Sequence, residues 1–76
     1  MARYFFHIMD GSAEFDEVGV ELSDMAAVRT EAIRSAGQML STGVQSWTGD
    51  AWHMFVADAD KKVVYSLRFT ADRHGN

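Results

Sequence analysis

Two histidines on predicted strands are the residues whose chemistry is easiest to imagine in this sequence. His7 lies in the run RYFFHIM and His53 in AWHMFVA, and strand alternation puts both on the same predicted sheet face. If their strands are adjacent, the two imidazoles could share a metal ion with a nearby carboxylate. Their separation along the chain, however, has none of the ligand spacing of a local metal motif. We therefore predict no metal site and no cofactor, and interpret both as surface or interface histidines.

Acidic side chains and hydroxyls offer no stronger catalytic pattern. Neither the acidic stretch before residue 25 nor the Asp58-x-Asp60 turn has the glycine and distal glutamate of a calcium loop. No serine has a histidine at a motif-like distance, and no nucleophile elbow is present. We expect no catalytic residue and a protein that is not an enzyme.

Arg29 is the least expected charge, because it projects into the apolar arc of a predicted helix. A buried guanidinium needs carboxylate or carbonyl partners. We predict that its stem packs on the sheet while its head forms a structural ion pair that ties a hairpin to the helix. The candidate acids are Asp10, Glu21 and Asp58. The functional alternative is an anion site.

The helix that carries Arg29 is predicted over residues 23–43. At about 100° per residue one arc collects the apolar side chains. Ser23 is the expected N-cap, with Asp24 in the first turn, and Gly43 is the expected C-terminal cap. Gly37, with two alanines beside it, would allow the helix to approach the sheet closely. The arc comprises Met25, Val28, Ala32, Ile33, Ala36, Met39 and Leu40.

Strand-like runs flank the helix on both sides. We interpret residues 3–22 as one hairpin and residues 51–69 as a second, because apolar side chains alternate and turn residues separate the runs. The predicted fold is α+β, a four-stranded antiparallel sheet of order β-β-α-β-β along the chain with one helix on one face. The expected inward set is Tyr4, Phe6, Ile8, Val18, Val20, Trp52, Met54, Val56, Val63, Tyr65, Leu67 and Phe69.

One helix cannot cover both faces of such a sheet. The face opposite the helix carries large apolar groups, which would be exposed to solvent in a monomer. Patches of that kind commonly mark association surfaces. We predict a homodimer that pairs sheet to sheet or edge to edge. The alternative is that the C-terminal tail or the loop containing Trp47 folds over this face. The predicted interaction face consists of Phe5, His7, Met9, His53, Phe55 and Val64.

Length and charge bound the remaining classes. The 76 residues suffice for one small domain, with an ordered core over about residues 3–70 and a frayed tail over 71–76. There is no cysteine, so no disulfide supplements the core. A net charge of -4 opposes attraction to phosphate backbones and makes nucleic acid an unfavourable partner. No apolar run is long enough for a signal peptide or a membrane span, and a cytoplasmic location is expected.

Three motifs extend this interpretation to a family. The sequence begins RYFFHIMDG, continues DEVGVELSDMAAVRTEAIRSA, and contains WHMFVADAD near its end. Over residues 3–69 it resembles a family of short bacterial proteins known only as a domain of unknown function. The resemblance implies a compact module of this size and carries over no activity or catalytic residue. Lys61 departs from the glycine that similar sequences often have in this turn.

We therefore expect a non-enzymatic protein-interaction module that associates with itself through the uncovered sheet face or an edge strand, and that can bind another protein there. The alternative is a small regulatory module that binds a ligand, or one linked to nucleic acid and similar to small antitoxin-like domains. The acidic balance argues against the nucleic-acid form of that alternative.

Overall fold

A computed structural model describes residues 1–42, 51–72, 74 and 75, with the backbone alone at residue 42. Within these residues, one helix packs against an antiparallel sheet, which confirms the predicted α+β class. The elements in chain order are β1 (Ala2–Met9), β2 (Ala13–Glu14), β3 (Val20–Leu22), α1 (Met25–Thr42), β4 (Ala51–Ala57) and β5 (Val63–Thr70). The expected Gly43 cap and the Trp47 loop lie outside the described residues.

Strand β1 is the centre of the sheet. On one side it pairs with β4, with Phe6 opposite Val56 and Ile8 opposite Met54. On the other side it pairs with β2 near its end and with β3 near its start. Strand β5 pairs with β4. Because β3 and β4 are both antiparallel to β1, they run parallel to each other, and α1 is the crossover that connects them.

The expected second strand is divided in two. Strand β2 pairs with residues 8 and 9 of β1, and β3 pairs with residues 2 to 4. Residues 5 to 7 of β1 have no strand partner on this side, because the chain between β2 and β3 leaves the sheet. Val18 lies in that connection and is 76% exposed, so its predicted inward position was wrong.

The helix begins one residue later than expected. Asp24, rather than Ser23, is the N-cap, because its Oδ1 accepts the Ala27 N–H at 2.8 Å and its carbonyl accepts the Val28 N–H at 3.1 Å. An N-cap carboxylate at this position satisfies a donor that the first turn leaves free.

The buried stripe of the helix is narrower than the predicted arc. Val28, Ala32 and Ala36 are fully buried, whereas Met25, Arg29 and Ile33, spaced four residues apart along a neighbouring row, are exposed. The expected ion pair of Arg29 with these acids is therefore corrected: two ion pairs join described residues to one another, and Arg29 is in neither. Of its candidate partners, Glu21 pairs with Arg3.

The other two candidate acids of that pair serve local turns. Asp10 is buried, and its Oδ1 accepts hydrogen bonds from the backbone and hydroxyl of Ser12. Oδ1 of Asp58 accepts the N–H groups of Asp60 and Lys62. Both carboxylates therefore stabilise the turns in which they lie, as short acidic side chains often do.

The core lies between the helix stripe and one face of β1 and β4. Its strand residues are Ile8, Trp52, Met54 and Val56, and its helix residues are the fully buried ones named above. Gly37 does not mediate the close helix approach that was expected, since a Cβ built there meets nothing within 4 Å. Half-buried side chains that pack around the core are Tyr4, Phe6, Leu22, Met39, Leu40, Val64, Tyr65 and Leu67.

A bulge reverses the faces at the start of β5. Val56 lies opposite Tyr65, but Ala57 lies opposite Val63, so Val64 is the extra residue in the ladder. Val64 consequently packs against the core, and Val63 is 54% exposed on the other face. The predicted places of these two valines were therefore interchanged, and Val64 does not belong to the uncovered face.

No helix among the described residues is long and apolar enough to cross a bilayer.

Candidate functional site

The face of the sheet away from the helix carries five of the six predicted interaction residues. Phe5 lies opposite Ala57, His7 opposite Phe55, and Met9 opposite His53. Opposite residues of an antiparallel pair point to the same face, so the structure brings these side chains together. The five predicted members are half-buried rather than fully exposed.

The connection between β2 and β3 covers part of this face. The rings of Phe15 and His7 meet edge to face, with centroids 5.4 Å apart. Gly19, at a φ of +77°, lies so close to the sheet that a Cβ would be 2.8 Å from Arg3 Cγ and 2.9 Å from Phe5 Cε2. Cover by the tail or the Trp47 loop was the alternative to the predicted homodimer, and no sequence pattern pointed to this connection as a cover.

Asp16 holds the connection against the sheet. Its Oδ2 accepts the Phe6 N–H at 3.1 Å, in the gap of β1 that no strand fills. Its Oδ1 accepts the N–H groups of Val18 at 3.0 Å and Gly19 at 3.1 Å. One carboxylate thus replaces the missing strand and also shapes the loop that leads to β3.

These contacts decide the ionisation of Asp16. Burial by itself raises the pKa of this carboxyl, but the N–H donors of Gly19, Phe6 and Val18 outweigh it, and His7 adds a smaller effect. The net result is a pKa below the ordinary value for an aspartate. Asp16 is therefore held as an anion by backbone donors.

The same connection also orients the imidazole of His7. The Asp16 backbone N–H donates to Nδ1 of His7 at 3.1 Å. Because Nδ1 accepts this hydrogen bond, the neutral ring carries its proton on Nε2. The remaining polar group of the imidazole is consequently a donor.

A second anchor lies at the start of β1. Nη1 of Arg3 donates to the Val18 carbonyl at 2.7 Å, and Nε lies 3.2 Å from a carboxylate oxygen of Glu21. The guanidinium therefore connects β1 to β3 and to the connection before it.

Between this connection and the β4–β5 turn lies a pocket of about 510 Å³. Its walls are predominantly apolar, and the polar groups around it come from two acids, one lysine and the imidazole. The lining residues are Phe5, His7, Phe15, Asp16, Ala57, Asp58, Ala59, Lys61 and Val63. Sequence alternation predicted Phe5 and His7 on this face, but no local pattern indicated that Phe15 and Asp16 would join them.

The turn beside the pocket is closed by Asp58. The Lys61 N–H donates to the Asp58 carbonyl at 3.0 Å, and the Asp58 N–H donates to the Lys62 carbonyl at 2.9 Å. Lys61 has a φ of +66°, and it is the one described residue other than glycine with a positive φ. A side chain is unfavourable in that backbone region.

The two strand histidines do lie on one face of adjacent strands. His53 stacks edge to face on Phe55, with centroids 5.6 Å apart, while His7 contacts Phe15. No group of three or more metal-ligating side chains occurs in the described part of the chain. Their roles as interface residues stay predictions.

The family of the chain follows from comparison with known proteins. The family model of a domain of unknown function, DUF6894, matches residues 3–70. No curated protein and no solved structure matches the chain significantly. The matched stretch covers every helix and strand described above except the first residue of β1. The chain therefore belongs to the DUF6894 family.

Proposed function

We propose that this protein is a non-enzymatic interaction module that forms a homodimer through the free edge of β5. The observation that carries the proposal is that edge. Strand β5 is eight residues long, and among the described strands it pairs with β4 alone. Its outer row of backbone donors and acceptors is a template for a further strand.

The opposite edge of the sheet is protected against pairing with a further strand, whereas the edge at β5 is not. Strands β2 and β3 have only two and three residues. The gap between them is closed by the Asp16 carboxylate, and Glu14, Glu17 and Glu21 are exposed along this side. Short strands and charges are the devices by which proteins block edge pairing. Strand β5 is not short, and Arg68 is the one charged residue within it.

Apolar exposure supports the same edge. Phe69 is 37% exposed and lies on the helix side of β5, as do Tyr65 and Leu67. In an antiparallel pair of β5 strands with the twofold axis at Leu67, Phe69 of one copy lies opposite Tyr65 of the other. Aromatic cross-strand pairs stabilise such ladders, so the dimer would bury side chains that the monomer leaves partly wet.

The non-enzymatic part of the proposal rests on how the acids near the pocket are used. Asp16 receives three backbone N–H groups, and these donors favour its charged form and occupy its oxygens. A carboxylate engaged in this way is a poor proton acceptor and a poor nucleophile.

Sedimentation equilibrium across micromolar concentrations tests the dimer. The proposed register places Ser66 opposite Arg68 of the other copy. Ser66→Lys then sets two like charges against each other in two symmetric places and weakens the dimer, by about tenfold in Kd. Ser66→Asp creates opposite charges at the same places and strengthens it. Because Ser66 is exposed, both variants should fold.

Thr30→Lys and Thr30→Asp, on the exposed side of the helix, are the matched controls and should leave the dimer constant unchanged. A wild-type protein that stays monomeric throughout overturns the proposal. Equal effects of the two Ser66 variants overturn the register.

A further inference from the structure

The pocket on the uncovered face has the size of a small-ligand site. Its volume of about 510 Å³ falls within the range of about 300–1,000 Å³ that such sites occupy. The rings of Phe5 and Phe15, with Ala57, Ala59 and Val63, supply the apolar walls. We propose that it binds a small aromatic carboxylate, with the ring between these walls and the carboxylate at Lys61 and His7.

The fold already occupies both carboxylate oxygens of Asp16 and one carboxylate oxygen of Asp58. Asp16 accepts three backbone N–H groups through its two oxygens. Oδ1 of Asp58 accepts two more, from Asp60 and Lys62. These backbone dipoles screen part of the negative charge that would otherwise repel an anionic ligand.

Apart from Oδ2 of Asp58, the polar side-chain groups of the lining that remain for a ligand are donors. With Nδ1 of His7 occupied by the Asp16 N–H, the neutral imidazole can offer only its Nε2–H. The Lys61 ammonium takes part in neither ion pair formed among the described residues. A carboxylate accepts hydrogen bonds from both groups, and the ammonium adds charge assistance.

The backbone at Lys61 is a second, independent observation. At a φ of +66° a glycine would be unstrained, whereas a lysine is disfavoured. Strain of this kind persists where the surrounding structure enforces it, and it tends to occur at binding sites. Among the described residues that line the pocket, the strained one, Lys61, is the only cation.

Three probes of similar size separate charge from shape: benzoate, benzamide and benzylamine, each titrated into isotopically labelled protein and followed by amide chemical shifts. We expect benzoate to shift the amides of Phe6, Asp16 and Lys61 with a millimolar Kd. Benzamide should bind more weakly and benzylamine should shift none of them.

Two variants assign the interaction. Lys61→Gln should raise the Kd of benzoate by about fivefold, the effect of losing one partly exposed charge pair, and should leave the Kd of benzamide unchanged. Lys62→Gln, the neighbouring lysine outside the pocket lining, is the matched control. Phe15→Ala should weaken the binding of both benzoate and benzamide. Because Phe15 is exposed, this variant should fold.

The proposal is overturned if benzoate produces no saturable shifts, if benzylamine binds as well as benzoate, or if Lys61→Gln and Lys62→Gln have equal effects. These results do not depend on the dimer, because sedimentation of the same samples reports β5 pairing separately.

Discussion

At the scale of single residues, Asp16 joins the connection between β2 and β3 to the sheet. A strand edge normally satisfies its N–H groups with a neighbouring strand. At Phe6 the acceptor is instead a side-chain carboxylate, which also holds the turn at Val18 and Gly19. The pocket wall formed by Phe15 therefore depends on one acid.

We expect Asp16→Asn to lower the free energy of unfolding by about 1.5–3 kcal/mol at neutral pH, since the amide offers one acceptor oxygen where the carboxylate offers two. The folded-state pKa of Asp16 lies below its ordinary value, so its stabilisation is present above about pH 4 and is lost as the pH falls through the folded-state pKa. The difference between the two proteins should therefore shrink in acid.

Urea unfolding at neutral pH and near pH 3, followed by circular dichroism, measures this difference. Glu17→Gln is the control, because Glu17 is exposed in the same segment and should change stability little. A difference between wild type and Asp16→Asn that does not vary with pH would contradict the role given to the charge.

Two glycines should respond in opposite directions to the same substitution. Gly19→Ala places a Cβ against Arg3 and Phe5 at a positive φ, and should lower the free energy of unfolding by about 2–3 kcal/mol. Gly37→Ala fills open space on the helix and should raise it by about 0.5–1 kcal/mol. Thermal unfolding of both variants checks the signs, and a stabilised Gly19→Ala would refute the close packing of the connection.

At the scale of elements, the start of α1 shows how adjacent residues of similar propensity are distinguished by geometry. Ser23 and Asp24 are both good N-caps. Asp24 takes the role because it bonds the Ala27 N–H. We expect Asp24→Ala to lower the free energy of unfolding by about 1 kcal/mol, and Ser23→Ala to change it by less than about 0.5 kcal/mol. Equal losses in denaturant unfolding would show that the cap is assigned to the wrong residue.

The bulge in β5 is an element-scale feature with consequences for the site. Alternation counted along residues 63–69 places Val63 inward and Val64 outward. One extra residue opposite Ala57 reverses both, and so puts Val63 in the pocket lining. A bulge depends on how two strands are paired, so the sequence of one strand does not indicate it.

At the scale of the whole molecule, the described helix and sheet make two layers with a small core. A domain of 76 residues buries only about 60–65% of the surface that its unfolded chain exposes. Apolar surface that a second copy would bury at the edge of β5 would therefore add a large share to its stability.

If β5 pairs with a second copy, stability must depend on protein concentration. We expect the thermal midpoint to rise measurably between low and high micromolar protein, and to do so much less for Ser66→Lys. Differential scanning fluorimetry at several concentrations is the measurement. A midpoint independent of concentration in the wild type would contradict the dimer as a stabilising assembly.

The candidate site was only partly predictable. Phe5 and His7 could be placed on the uncovered face because strand alternation is a local property of the backbone. Phe15, Asp16 and Lys61 could not be assigned to it, because their positions depend on a connection that folds back over β1 and on a turn beside β4. Arg29 was misplaced because a periodicity argument does not determine which edge of an apolar arc meets the sheet.

Local sequence patterns were enough to predict the helix α1, the antiparallel pairing on either side of it and the inward side of β1 and β4. These follow from side-chain periods of about 3.6 and 2, which each segment carries independently of the rest. Three features arise from the tertiary structure alone: the split of the second strand, the reversal of Val63 and Val64, and the pocket between the connection and the β4–β5 turn. Each of these results from pairing between distant segments, where hydrogen-bond register and packing select one arrangement among several that local patterns allow.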